Sequence, residues 1–124
     1  MQLLLDFTQR VKQLKLGGAN SKFADMVNSY VLEHIDRNIS TAELAVAVGV
    51  NRQYLCERFK NDTGMTVNTF ITERKIDEAK RLLETSNQTV SQISAFLGFS
   101  SQSYFQNVFK KSTGMTPAKY RENI

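Results

Sequence analysis

The chain has one cysteine, one proline, one histidine and no tryptophan among its 124 residues. A single thiol, Cys56, excludes an internal disulfide and a cysteine-built zinc cage, which fits a reducing compartment. The lone His34 falls in the apolar stripe of its helix, where a core-edge role is expected, and it leaves Cys56 no second histidine to activate it. With no phosphate-cradling glycine loop and no metal-ligand spacing either, neither an enzyme nor a bound cofactor is expected. No run of about 18 apolar residues occurs, and the opening MQLLLDFTQR is charged and lacks a small-residue cleavage pattern, so no membrane span or signal peptide is indicated and the cytoplasm is the expected location.

What is present is the composition of a folded protein, 41% hydrophobic and 23% charged, with no low-complexity tract. The length admits one ordinary domain or two very small ones that lean on each other. A net charge of +4 permits a polyanionic partner without demanding one. Its distribution is uneven: residues 1–22 carry +3, 23–50 carry −3, 51–66 carry +1, 67–85 are neutral and 86–124 carry +3.

The segment FKNDTGMT at 59–66 returns as FKKSTGMT at 109–116, with six of eight positions identical. Such self-similarity implies a duplicated structural unit. The duplication extends upstream, because STAELAVAVG at 40–49 answers TVSQISAFLG at 89–98, and one residue has been added in the turn GFSSQSY relative to GVNRQY. Periodicity is helical throughout, which predicts an all-α fold. Over 21–36, Phe23, Met26, Val27, Tyr30, Val31, His34 and Ile35 form one stripe. Ser40 with Glu43, and Thr89 with Gln92, read as capping boxes of two short helices. Gly49 and Gly98 end these helices, and Asn51 caps a helix reaching about Asp62. In TGMT, Gly64 and Gly114 are expected in the left-handed conformation, with Met65 and Met115 folding back on Phe59 and Phe109 in a Schellman-type cap, and Thr66 and Thr116 capping the next helices. Pro117 suits a first helical position.

Short helix, glycine turn and longer helix make each copy a helix-turn-helix signature. The predicted organisation is an N-terminal helix and linker over 1–20, a first subdomain over 21–66, a linker helix over 67–85 and a second subdomain over 86–124. The linker helix has two apolar faces: Val67, Phe70 and Ile71 on one, Ile76, Ala79, Leu82 and Leu83 on another about 130° round, as a strut shared by two subdomains requires. It spans roughly 28 Å, approaching the repeat of about 34 Å in B-DNA, so two recognition helices can enter successive major-groove turns of an asymmetric site. Leu4, Phe7, Val11 and Leu14 form a heptad-like seam in residues 1–16. So short a seam fits a flanking helix or the end of an upstream domain better than a coiled coil, and leaves a weak dimer through 1–16 open.

In the first recognition helix Tyr54, Leu55 and Phe59 are expected in the core. Arg52, Gln53, Cys56, Glu57 and Lys60 then point outward. The second is expected to bury Tyr104, Phe105, Val108 and Phe109 and to present Ser101, Gln102, Ser103, Gln106, Asn107 and Lys110. Gln and Asn suit adenine edges, Arg suits guanine and Glu can accept from cytosine N4. Phosphate contacts are expected from Asn51, Ser100 and Ser101 at helix N-termini, with Lys60, Lys110 and Lys111. Arg58 stands where the second copy has Val108, so its stem should lie along apolar surface with the head free for a phosphate or an acid.

The tandem units joined by ERKIDEAKRLL, and above all VSQISAFLGFSSQSYFQNVFKKSTGMTPAKYREN, resemble the DNA-binding domain of AraC/XylS-type transcriptional regulators over residues from about 23 to 123. The resemblance implies a domain of seven helices that binds promoter DNA and contacts RNA polymerase, usually as an activator and sometimes as a repressor. It places base reading at Gln53, Cys56 and Glu57 in the first unit and at Gln102, Ser103, Gln106 and Asn107 in the second. Glu57 departs from the basic residue often found there, and Arg52 or a water-mediated contact is the substitute for guanine reading. Arg74 resembles the family's strut arginine, for which a structural pairing with an acid is expected. Regulators of this type often carry a sensing or receiver domain ahead of the DNA-binding part, and residues 1–20 are expected to be the end of one, the alternative being that Met1 begins a complete stand-alone regulator. An all-helical protein-interaction adaptor is the alternative, separable by the salt dependence of binding.

Overall fold

The computed structural model describes residues 21–124. The N-terminal helix and dimer seam expected within residues 1–20 lie outside the described residues. Among the described residues there are seven helices and no strand: α1 (Ser21–Glu33), α2 (Thr41–Val48), α3 (Arg52–Thr63), α4 (Val67–Thr85), α5 (Val90–Phe96), α6 (Gln102–Thr113) and α7 (Pro117–Glu122). They pack as two units. Within the described residues the first comprises 21–33 and 40–70, the second 34–39 and 71–124.

In the first unit α1 buries Phe23, Ala24, Val27 and Val31 and packs on α2 and α3, which bury Leu44, Ala45, Leu55 and Phe59. Met26 is 49% exposed, so the buried stripe is narrower than the periodicity predicts. α1 also stops at Glu33, with residues 34–36 forming a turn. Phe59 meets Phe70 edge-on at 5.0 Å between ring centroids, which seals the beginning of α4 onto α3. Ser40 caps α2 by accepting from the Glu43 N–H at 3.0 Å. The Glu43 carboxylate accepts from the Tyr30 hydroxyl at 2.6 Å, and thereby fastens α2 to α1.

The second unit is built on the other apolar face of α4. Ile76, Ala79, Leu82 and Leu83 pack with Ile93, Leu97, Phe105 and Phe109 in one cluster, and Tyr120 closes its side. Phe109 lies between Phe105 and Tyr120, with centroids 5.8 and 5.5 Å away. The capping box of α5 is complete: the Thr89 hydroxyl accepts from the Gln92 N–H, and the Gln92 amide oxygen accepts from the Thr89 N–H at 2.8 Å. Arg121 donates to the carbonyls of Leu83 and Ser86 at 3.2 Å and so caps the end of α4.

Two features explain why residues 34–39 belong with the second unit. Lys75 is only 6% exposed, and its ammonium donates to the carbonyls of Ile35 and Arg37, each at 2.8 Å, and to that of Leu97. Gly98, at φ +77°, sits so close that a Cβ there would meet the Arg37 backbone at 2.9 Å. Arg74, 2% exposed, pairs with Asp77 at 2.9 Å, the acid pairing expected of it.

The TGMT joint differs from a Schellman cap. Gly64 and Gly114 are left-handed, at φ +81° and +87°, and each N–H closes a single bond to the carbonyl of Lys60 or Lys110. The next N–H, from Met65 or Met115, is accepted by the hydroxyl of Thr63 or Thr113 at 3.3 Å. Each hydroxyl in turn donates to the Phe59 or Phe109 carbonyl, at 2.7 and 2.9 Å. The threonine thus does the work that a second backbone bond does in the Schellman arrangement.

Candidate nucleic-acid interface

The recognition helices are held by corresponding contacts. Asn51 caps α3 by accepting the Tyr54 N–H at 2.8 Å, and Ser101 caps α6 by accepting the Tyr104 N–H at 3.0 Å. Leu55 and Phe59 of α3, like Phe105 and Phe109 of α6, are fully buried. These anchors are four residues apart, one helical turn, so they fix which face is left outside. From 51 to 60 and from 101 to 110 the order of exposed, half-buried and buried positions is the same residue for residue.

On the outer face of α3 stand Asn51, Arg52, Gln53, Glu57 and Lys60, all exposed, with Cys56 half-buried at its edge. Arg52 commits its Nε–H to Thr41 Oγ1 at 3.0 Å, which leaves the Nη groups to other acceptors. Gln53 donates to the Glu57 carboxylate at 3.2 Å, so the two present mainly acceptor oxygens and suit the amino edges of cytosine or adenine. The Asn51 amide oxygen is occupied by its capping bond while the amide N–H₂ remains a donor.

On α6, Ser100, Ser101, Gln102, Ser103, Asn107, Lys110 and Lys111 are exposed and Gln106 is half-buried. The helix has no acidic residue and carries Lys110 and Lys111 in its last turn. Every residue assigned from the sequence to base reading or phosphate contact therefore lies on α3, on α6 or at their N-termini. The two helices belong to different packing units.

Two sequence expectations fail here. Tyr54 and Tyr104 are 44% and 54% exposed rather than buried, and Val108 is half-buried. The buried pair four residues apart suffices to seal each helix, and the tyrosine, one residue or about 100° round, falls at the rim with its hydroxyl outward-capable. Tyr54 keeps an edge contact with Phe23 at 6.3 Å between centroids, and Tyr104 a tilted one with Phe99 at 6.1 Å. The only sequence signal was the choice of tyrosine over phenylalanine at both places. Arg58 behaves as expected: its guanidinium lies 4.7 Å from the Phe23 ring centroid and donates to Asp62 at 3.1 Å and to the Tyr54 hydroxyl at 2.8 Å. The Tyr54 bond, then Asp62, raises its pKa above the ordinary value.

A helix-turn-helix domain family matches residues 44–123. The xylose operon regulatory protein of Escherichia coli is 34% identical over 93 residues, covering 75% of this chain and 24% of that protein. This chain thus spans about a quarter of the length of that relative. Among solved structures, the DNA-binding domain of the global transcriptional factor AdpA in complex with a target DNA superposes with a TM-score of 0.76 at 29% identity, covering 82% of this chain and 90% of that one. An AraC-type regulator from Chromobacterium violaceum superposes with a TM-score of 0.80 at 26% identity, over 84% of this chain and 93% of that one.

Proposed function

Because the chain belongs to the AraC/XylS-type helix-turn-helix family of transcriptional regulators, we propose that it reads an asymmetric double-stranded promoter site with α3 and α6 in successive major-groove turns. The observation that carries this reading is the shared burial pattern of the two helices with different outer residues. Equal placement gives each helix the same mode of approach, and unequal side chains give each a different base preference. Arg52, Gln53, Cys56 and Glu57 read one block. Gln102, Ser103, Gln106 and Asn107 read the other. Asn51, Ser100, Ser101, Lys60, Lys110 and Lys111 hold the phosphates, with Asn51 and Ser101 donating through the hydrogens their capping bonds leave unused.

The regulator acts in the cytoplasm without catalysis, and RNA polymerase is its second partner, most often for activation. A weak dimer through residues 1–16 is the one oligomeric contact this reading includes. The test is titration of labelled duplex at a series of salt concentrations. Three lysines at phosphates give a log–log salt slope of roughly −3. Binding that ignores salt sinks the DNA reading in favour of an apolar protein groove.

A further inference from the structure

Tyr54 and Arg58 form a unit that the base-reading and phosphate sets above do not use. Arg58 is fixed on three sides: its Cζ lies over the Phe23 ring, Asp62 accepts from Nε, and Nη1 donates to the Tyr54 oxygen. A phenol that accepts a bond from a cation has its own O–H left to give, and the nearby positive charge makes that O–H a stronger donor. The ring is 44% exposed, in the first turn of α3 beside the capping residue Asn51 and the exposed Arg52 and Gln53. Helix N-termini are where backbone N–H groups and short polar side chains meet phosphate. In the second unit Val108 occupies the place of Arg58, so Tyr104 receives no such bond from that position.

Given the reading of α3 as a DNA-contacting helix, the geometry points to the Tyr54 hydroxyl as a donor to a backbone phosphate of the DNA, with Arg58 as the positioning residue that orients and polarises it. The first unit then has a charge-assisted phosphate contact from a neutral side chain, beside the cations Arg52 and Lys60. This compensates for Glu57, whose carboxylate sits on that same face and repels the backbone. Tyr54 carries no sequence information of its own, because phosphates are alike under every base pair.

The test compares the whole chain with Y54F, R58M, R58K and the Y54F/R58M double variant. The probes are two duplexes of 30 base pairs, one selected from a random pool and one of shuffled sequence, with thermal melting run in parallel. Y54F keeps the ring contact with Phe23, and R58M keeps an apolar stem over it. Y54F is expected to weaken both duplexes by a similar factor, about tenfold, with little change in melting. R58M is expected to show a loss of the same size, R58K to recover most of it, and the double variant to lose no more than either single one, as coupled residues do. Unchanged affinity in Y54F overturns the contact. A loss confined to the selected duplex makes Tyr54 a base reader and overturns it as well. Full additivity of the two substitutions means that Arg58 reaches the DNA by itself, which overturns the relay. If the wild-type chain binds neither duplex, the DNA reading of α3 fails first and this contact with it, an outcome distinct from normal wild-type binding with a silent Y54F.

Discussion

Lys75 places an ammonium among three backbone carbonyls, with the Phe99 ring centroid 6.0 Å from its nitrogen. K75M leaves all three carbonyls without that donor and is expected to cost about 3 kcal/mol in urea unfolding at pH 7. Burial pushes the amine down from 10.5 to about 8, against the pull of Asp36. Between those values the unfolded chain holds the proton more tightly than the folded one, so this group makes stability rise with pH across the window. Unfolding curves at pH 7.5 to 10.5 should therefore show the wild type gaining on K75M as pH rises, and a constant difference would contradict the burial. Gly49 and Gly98 separate two costs that the sequence merges. Both are left-handed, but a Cβ at Gly49 meets open space and one at Gly98 meets the Arg37 backbone. G49A should cost about 1 kcal/mol from backbone strain and G98A at least twice that, read from melting temperatures. At the proposed interface, Q102A is expected to relax preference at one base pair by about 1–3 kcal/mol, while K110A weakens every duplex alike and flattens the salt slope. Equal losses for both variants on every duplex would refute that division of roles. Lys75 was not legible in the sequence, because its partners lie 22 to 40 residues away and no local pattern announces a carbonyl cage. Arg74 was legible only through resemblance.

Most of the helices were readable because they signal their ends, α1 being the exception. Asn51, Thr89, Ser101 and Thr116 all cap as side-chain acceptors, and the left-handed glycines close α2, α3 and α6. Both apolar faces of α4 are buried as expected, Val67, Phe70 and Ile71 toward its start, Ile76, Ala79, Leu82 and Leu83 beyond. What the periodicity missed were rim positions. Met26, Tyr54 and Tyr104 are large enough to count as core letters, yet each flanks rather than joins a stripe already sealed by smaller or better-centred neighbours. The TGMT joint was placed correctly and explained incompletely, since the threonine hydroxyl is invisible to a reading based on glycine and methionine alone. T63V and T113V keep shape and lose that hydroxyl, leaving the Met65 or Met115 N–H without its acceptor. Each is expected to destabilise its own unit by about 1 kcal/mol, which chemical denaturation checks, whereas S112A, exposed in the same turn, should be silent.

At the scale of the whole chain the charges are shared unequally. Among residues 23–124 the acidic excess lies in 23–50 and the basic excess in 86–124, so of the two helix-turn-helix segments the second should supply more of the salt-dependent attraction. α4 is one helix of 19 residues, beginning in the unit that carries α3 and ending in the unit that carries α6. Neither α4 nor any other described helix is long and apolar enough to cross a membrane. The central claim, that one chain carries two unlike readers, is tested most directly by selecting random duplexes of 30 base pairs on the purified protein. The expected result is an asymmetric consensus of two blocks with centres about one helical turn apart, with preference at one base pair of one block relaxed in Q102A and at one base pair of the other in Q53A. A palindromic consensus, a single block, or no enrichment above a salt-sensitive background would contradict it.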